Sequence, residues 1–223
     1  MKISASILSA DLLNLERDIK EAVEGGIDLI HLDVMDGHFV PNLTFGIPLG
    51  QRLKDKIPIP IESHLMISNP DRYIDEYTSF SKYVTIHWES PVQVTRVIQK
   101  IKEKGVSAGI AINPGTEVYS IEDVLDRVDY VLVMTVEPGF SGQKMIKESL
   151  GKIDLLRGIR EKNGFNFEIG VDGGINRENI KEVVSHGPDI IVSASAIFNG
   201  KIKENINFLR NAMSVSVNGP GNS

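Results

Sequence analysis

Eight short runs rich in β-branched residues alternate along this chain with longer stretches whose apolar residues recur every three or four positions. The runs lie near residues 2–8, 28–35, 59–66, 82–88, 106–112, 129–136, 166–172 and 189–194. The helical pattern is clearest at residues 11–24, 70–80, 91–103 and 143–162. Repeated strand–helix units of this kind build a parallel sheet. Eight of them favour a closed (β/α)8 barrel, or TIM barrel, over an open doubly wound sheet, in which about six strands are more usual.

The chain of 223 residues is long enough for one large α/β domain, and no linker, charge block or low-complexity tract divides it. We therefore expect a single (β/α)8 barrel domain over residues 1–214. Residues 215–223 end in Asn-Gly-Pro-Gly-Asn-Ser and predict a disordered tail.

Composition excludes several classes of function. A formal net charge of −6 argues against a broad basic surface for nucleic acid, although it leaves room for a small anionic ligand. The absence of cysteine removes disulfides and thiolate metal sites, so histidine and carboxylates are the strong ligands left. No run approaches the roughly 18 apolar residues of a membrane helix. We expect a soluble, cytoplasmic protein with no membrane partner, and a homo-oligomer whose interface the sequence does not define.

Potential metal ligands stand near the ends of three apolar runs. His31 and Asp33 are two positions apart, so on a strand both side chains point to one face. His64 ends the third run and Asp172 the seventh. In a barrel the chemistry collects where strands end, so we expect these four residues to meet. Two imidazoles and two carboxylates suit zinc, iron, manganese or cobalt.

The alternative for each of these residues is simple packing, since a lone histidine in a strand is usually a core residue. Two aspartates buried together without a cation, a proton or hydrogen-bond donors would each cost several kcal/mol. The metal site is therefore the better interpretation, and two carboxylates around a metal also suggest proton transfer. We expect His38, His87 and His186 to lie at the surface or behind the metal ligands, and not to bind the metal themselves.

Other strand-end residues could contact a substrate. Met35, Met66 and Met134 are either core filler or an apolar collar that keeps water from a reactive anion. Ser6, near the end of the first run, could form a hydrogen bond to a substrate oxygen or simply pack inside the barrel. Glycine-bearing loops at 137–143 and 172–175, together with Ala194 and Ser195, could bind phosphate through backbone N–H groups. The first of these loops is predicted to lead directly into a helix.

Several segments resemble the ribulose-phosphate 3-epimerase family, and the similarity spans nearly the whole chain in order. They are 5–11 (ASILSAD), 31–42 (HLDVMDGHFVPN), 64–66 (HLM), 134–136 (MTV), 138–140 (PGF), 142–143 (GQ) and 171–175 (VDGGI). The twelve residues from His31 are highly specific, whereas Asp-Gly-Gly alone would mean little.

The resemblance implies a TIM barrel of the ribulose-phosphate binding type that interconverts D-ribulose 5-phosphate and D-xylulose 5-phosphate in the pentose phosphate pathway. It implies acid/base roles for Asp33 and Asp172, and one divalent ion, zinc or iron, held by these two residues with His31 and His64. The implied substrate contacts are Ser6, His64, Met35, Met66, Met134, Gly139, Phe140, Ser141, Gly142, Gln143, Asp172, Gly173, Gly174, Ala194 and Ser195.

This chain departs from the usual family pattern at Glu137, Ser141, Ala194 and the pair Glu62-Ser63. Most of these positions lie at the phosphate end, which leaves epimerisation of a six-carbon substrate such as D-allulose 6-phosphate as an alternative. A decarboxylase or aldolase of the related barrels would carry a lysine between strand-end aspartates, and segment 33–36 has none. A non-catalytic metal or sugar-phosphate sensor is the alternative outside enzymes.

Overall fold

Eight parallel strands close into a barrel in which each strand pairs with its neighbours in sequence and β8 pairs with β1. The computed structural model describes residues 1–215. The strands are β1 (Lys2–Ser6), β2 (Leu29–Met35), β3 (Ile61–Met66), β4 (Tyr83–His87), β5 (Ser107–Ile112), β6 (Tyr130–Met134), β7 (Glu168–Asp172) and β8 (Ile190–Ser193). The (β/α)8 fold predicted from the eight runs is confirmed, and each predicted run contains one strand.

Helices surround the barrel: α1 (Leu15–Glu24), α2 (Ile47–Lys56), α3 (Ile74–Thr78), α4 (Val94–Glu103), α5 (Gly151–Asn163), α6 (Ile180–Ser185), α7 (Ser195–Phe198) and α8 (Ile202–Val215). Between β5 and β6 the chain forms a 3-10 helix, Val118–Val124, in place of an α-helix. Within the described residues no helix has the length and apolar character needed to cross a membrane. The predicted tail from 216 onward lies outside the described residues, and α8 includes Val215.

All four predicted helices begin later than the sequence pattern suggested, and α4 begins at Val94 instead of residue 91. The segment predicted at 11–24 starts at Leu15, because Asp11 instead accepts the backbone N–H of Leu13 in a turn. The stretch 70–80 divides into a 3-10 turn, Pro70–Arg72, and the short α3. The largest difference is at 143–162, where a 3-10 turn starts at Lys147 and the α-helix begins only at Gly151. Apolar spacing continues through such turns, so it cannot mark where a helix begins.

Apolar side chains fill both sides of the strands. The larger core lies between the barrel and its helices, and a second cluster that includes Tyr83, Tyr130 and Leu132 fills the barrel interior. At the amino-terminal end of the barrel the Glu168 carboxylate lies 2.6 Å from Lys2 Nζ and 2.5 Å from the Tyr83 hydroxyl.

Aspartates that directly precede three of the strands, β2, β6 and β8, tie neighbouring strands together. The carboxylates of Asp28, Asp129 and Asp189 accept the backbone N–H groups of Ile3, Ala108 and Ile169, at 2.7, 2.9 and 2.8 Å. Each hydrogen bond joins a backbone N–H near the start of one strand to the side chain of the residue that precedes the next strand. These contacts fix the relative height of neighbouring strands, which decides which strand-end side chains can meet.

The interior has no room at Gly170 on β7. A Cβ built there would lie 2.0 Å from the Tyr130 hydroxyl. We expect Gly170→Ala to lower the free energy of unfolding by about 1–3 kcal/mol through overpacking, measured by urea denaturation. Gly158→Ala is the control, because its Cβ on α5 would meet no atom within 4 Å and alanine favours helix by about 0.5–1 kcal/mol. Equal effects at the two positions would contradict this account of the core.

Candidate active site

Four side chains meet at the carboxyl ends of β2, β3 and β7. His31, Asp33, His64 and Asp172 each offer one ligand atom, and these four atoms all lie within 4.8 Å of one another. His31 Nε2 is 3.1 Å from Asp33 Oδ1 and 3.2 Å from His64 Nδ1. The structure thus brings together the four residues that the strand-end pattern placed on one rim, although Asp172 is far from the others in sequence.

Strand register explains this meeting. Asp33 pairs with His64 across β2 and β3, and Ser6 pairs with His31 across β1 and β2. His31 and Asp33 share the inward face because side chains alternate along a strand. Asp172 is the last residue of β7 and reaches the cluster from across the barrel. The two carboxyl groups therefore approach from different sides of the barrel.

The spacing of these atoms fits a small divalent cation. Bonds of about 2.0–2.1 Å in a tetrahedron place neighbouring ligand atoms roughly 3.3–3.4 Å apart. His64 Nδ1 lies 3.3 Å from Asp33 Oδ1, and Asp172 Oδ2 lies 3.7 Å from His31 Nε2 and 3.9 Å from His64 Nδ1. A set of two imidazoles and two carboxylates is a chemically suitable first shell for such an ion, without selecting one metal.

A cavity opens directly above the cluster, and Asp33 and Asp172 both line it. The residues predicted to contact substrate that line it are Ser6, Met35, Met66, Met134, Gly139, Phe140, Ser141, Gly142, Gln143, Gly173, Gly174, Ala194 and Ser195. His64 does not line it, because its ring is fully buried beneath Asp33. Leu8, Val136, Pro138, Ile175, Val192 and Ser193 complete the lining. Pro138 and Ile175 belong to the predicted phosphate loops, but none of the six was predicted as an individual substrate contact.

Comparison with known proteins identifies the family of this chain. The sequence pattern of the ribulose-phosphate 3 epimerase family matches residues 2–198. The chain belongs to this family. A ribulose-phosphate 3-epimerase of Aquifex aeolicus is 42% identical over 203 residues, covering 90% of this chain and 91% of that protein. One from Methanocaldococcus jannaschii is 44% identical over 220 residues, covering 98% and 93%.

Solved structures support the fold alone. A 3-hexulose-6-phosphate synthase from Salmonella typhimurium superposes with a TM-score of 0.71 at 18% identity, covering 97% of this chain and all of that one. A 3-keto-L-gulonate-6-phosphate decarboxylase from Vibrio cholerae gives 0.72 at 12% identity, covering 96% and 97%. At such low identity, the likeness establishes a shared barrel and no shared chemistry.

A buried glutamate orients the first histidine in this member of the epimerase family. Glu62 Oε2 lies 2.9 Å from His31 Nδ1 and accepts the Ser4 hydroxyl at 3.0 Å, while Glu62 Oε1 has no partner. In the sequence Glu62 stands out only as a departure from the usual family pattern. Its position two residues before His64, on the same inward face of β3, was the signal that could have identified it.

The second histidine also has an outer partner. His64 Nε2 lies 2.8 Å from His87 Nε2, and His87 Nδ1 lies 3.2 Å from Glu89 Oε2. His87 thus contacts a potential ligand without reaching the cavity, which agrees with the outer role predicted for it. His38 is exposed, and His186 pairs with Asp154 on the surface, so neither approaches the site.

The two aspartates have opposite protonation preferences. Burial raises the pKa of Asp172 to about 7, helped by the negative charges of Asp33 and Glu62 and opposed by His31. Burial would also raise the pKa of Asp33, but the charge of His31 and its hydrogen bond act in the opposite direction, and the pKa is lowered below its usual value. In the protein alone, Asp33 therefore stays ionised at a pH at which Asp172 is partly protonated.

The two imidazoles differ in the same way. Burial alone would lower the pKa of His31, but the carboxylates of Glu62 and Asp33 raise it well above its usual value. Burial lowers the pKa of His64, and the charge on His31 adds to that effect. A divalent cation among these atoms would favour ionised carboxylates and neutral imidazoles.

Glycines shape the loops at the far end of the cavity. Gly173 and Gly174 have φ of 123° and 64°, and a Cβ on either would lie 2.6 Å from Val136 or Met145. The predicted helix start after Gln143 is wrong, because residues 144–146 separate that loop from the 3-10 turn at Lys147. A helix dipole at Gln143 is therefore excluded, and the loop offers only its own backbone and side chains.

Removing Glu62 should destabilise the barrel. Glu62→Ala leaves His31 without its fully buried carboxylate partner, so we expect a loss of about 3–5 kcal/mol in the free energy of unfolding, measured in urea with a chelator present. Glu24→Ala is the control, since Glu24 pairs with Lys203 at the surface, where ion pairs add little stability. Similar losses for the two variants would show that Glu62 is not a structural partner of His31.

Proposed function

We propose that this protein interconverts D-ribulose 5-phosphate and D-xylulose 5-phosphate by moving a proton at C3. One observation carries the proposal: Asp33 and Asp172 face a single cavity from different sides of the barrel, with their pKa values shifted in opposite directions. Titratable groups whose surroundings separate their pKa values are the usual sign of paired acid and base roles. Membership of the epimerase family supplies the reaction that such a pair serves.

Epimerisation needs a proton removed from one face of the carbon and another delivered to the opposite face. In one direction the ionised Asp33 accepts the C3 proton, which leaves an enediolate, and the protonated Asp172 donates from the other side. In the reverse direction the two residues exchange roles. Ser6 Oγ donates to Asp33 Oδ2 at 2.6 Å, which orients that carboxylate toward the cavity.

His31, Asp33, His64 and Asp172 would hold one divalent ion, with zinc or iron as the first candidates and manganese or cobalt as alternatives. When bound, the ion supplies positive charge that stabilises the developing oxyanion. The protein contributes the orientation of both rings, because Glu62 holds His31 and His87 holds His64.

Loop residues bind the phosphate in this proposal. Within residues 1–215 no lysine or arginine lines the cavity, so backbone N–H groups and the hydroxyls of Ser141 and Ser195 are the available donors. Gln143 Nε2 donates to the backbone carbonyls of Glu137 and Phe140, at 2.6 and 2.9 Å. These two hydrogen bonds stabilise the conformation of the loop. Anchoring the phosphate places C3 between the carboxyl groups, while three methionines cover it.

The cytoplasmic location and the homo-oligomer stay predictions from the sequence. A phosphorylated ketose is the proposed partner. The acidic composition gives no support to a nucleic-acid partner.

Proton NMR in heavy water tests the reaction directly. With D-ribulose 5-phosphate we expect conversion to D-xylulose 5-phosphate with deuterium entering at C3, a loss of this exchange on adding a chelator, and its return on adding a divalent metal. Lower turnover on D-allulose 6-phosphate is expected. Absence of exchange into either ketose would refute the proposal, and faster turnover of the six-carbon substrate would reassign the substrate alone.

Each aspartate should be indispensable. We expect Asp33→Asn and Asp172→Asn each to lower kcat by at least about 10²–10⁴-fold, because an amide can neither accept nor deliver the proton. Deuterium incorporation at C3 should fall in parallel. Asp71→Asn serves as the control, since Asp71 is exposed and lies outside the cavity. Near-normal epimerisation by Asp172→Asn would contradict the two-base scheme.

A further inference from the structure

A chain of buried polar contacts runs outward from the proposed metal site. His64 Nε2 faces His87 Nε2 at 2.8 Å, and the two rings stack with centroids 4.9 Å apart. His87 Nδ1 faces Glu89 Oε2 at 3.2 Å. Both rings are fully buried. Apolar side chains would fill this space at less cost, so the polar chain calls for an explanation beyond packing.

The direction of each hydrogen bond follows from Glu89. Its other oxygen, Oε1, accepts the Asn113 backbone N–H at 2.8 Å and the Thr116 hydroxyl, as an ionised carboxylate does. Oε2 then accepts from His87 Nδ1–H. A neutral His87 ring has one N–H only, so its Nε2 is an acceptor, and His64 Nε2–H must be the donor. His64 Nδ1 is thereby left with a lone pair that points into the cluster.

The Glu89 carboxylate is held in position indirectly by a buried lysine. Lys152 on α5 donates from Nζ to the carbonyls of Asn113, Pro114 and Thr116, at 2.9, 2.7 and 2.7 Å. This buried ammonium fixes segment 113–116, which supplies both donors to Glu89 Oε1. The position of Glu89 is therefore set by the fold, independently of His87.

We propose that His87 and Glu89 are positioning residues that fix the tautomer and ring orientation of His64 for metal binding. The inference rests on the proposed function, because it assumes an ion at the cluster. Glu62 performs the matching task for His31 with one direct contact, whereas Glu89 acts on His64 through an intervening ring. Partners of this kind typically change metal affinity by 10–100-fold when they are replaced.

Glu89→Gln gives a sharp test because it keeps the shape of the side chain. Asn113 N–H and the Thr116 hydroxyl need an acceptor, so the amide oxygen faces them and the NH2 group faces His87 Nδ1. His87 would then carry its proton on Nε2, which opposes donation from His64. We expect the full-length protein to bind Zn²⁺ about 10–100-fold more weakly, measured by competition with a chromophoric chelator. Unchanged affinity would overturn the proposal.

Asp154→Asn is the matched control. It removes a carboxylate 2.8 Å from His186 Nδ1, a similar pair on the surface and away from the cluster, and should leave Zn²⁺ affinity unchanged. Wild-type protein that binds no Zn²⁺, Fe²⁺, Mn²⁺ or Co²⁺ would overturn the proposed metal role and this inference together. Equal binding by wild type and Glu89→Gln would overturn the inference alone.

A double-mutant cycle separates positioning from a general structural effect. In a His87→Leu background, Glu89→Gln should cause no further loss of Zn²⁺ affinity, since the route to His64 is already broken. A full additional loss would mean that Glu89 acts only by holding segment 113–116, and would overturn the proposal. Thermal melting of each variant checks that it is folded.

Nitrogen-15 NMR of the zinc-loaded wild-type protein provides a readout that does not depend on any variant folding. We expect the ring proton of His64 on Nε2 and that of His87 on Nδ1. A His87 proton on Nε2, or a His87 ring protonated on both nitrogens, would overturn the proposal.

Discussion

Mutual pairing of buried carboxyl and imidazole groups is the constraint on which this site depends. Asp33, Glu62, His31 and His64 are all buried among the strands, where an unpaired charge would cost several kcal/mol. The interior carboxylates near the site meet histidines and hydroxyls, while Lys2 pairs with Glu168 at the opposite end of the barrel. Each group is therefore stabilised only if its partners hold their positions, and the closed sheet keeps them there.

The same constraint separates the roles of chemically identical side chains. Asp33 contacts both histidines and accepts the Ser6 hydroxyl. Asp172 lies farther from the two rings, so its carboxyl group receives less stabilisation of its charge. Their pKa values move apart for this reason. A scaffold that surrounds two identical carboxyl groups differently can provide an acid and a base at one pH.

Much of this arrangement could be predicted from short-range patterns. The eight β-branched runs gave the barrel, and alternation along β2 placed His31 and Asp33 on one face. Helix starts were less predictable, because Asp11 and the segment after Gln143 form turns through contacts that apolar spacing does not report. Glu62 and Glu89 were missed as functional partners, since a single glutamate in a strand or loop carries no distinctive motif.

The sequence by itself determined the order of strands and helices and which chemical groups stand at strand ends, because both follow from periodicities of two and about three and a half residues. Only the tertiary structure decided which ring nitrogen of each histidine faces the cluster, which carboxylate stands behind it, and how each acid titrates. Those properties depend on distances between residues such as His31 and Glu62, or Glu89 and Asn113, that lie tens of positions apart in the chain. Strand register and barrel closure set these distances, and no local pattern encodes them.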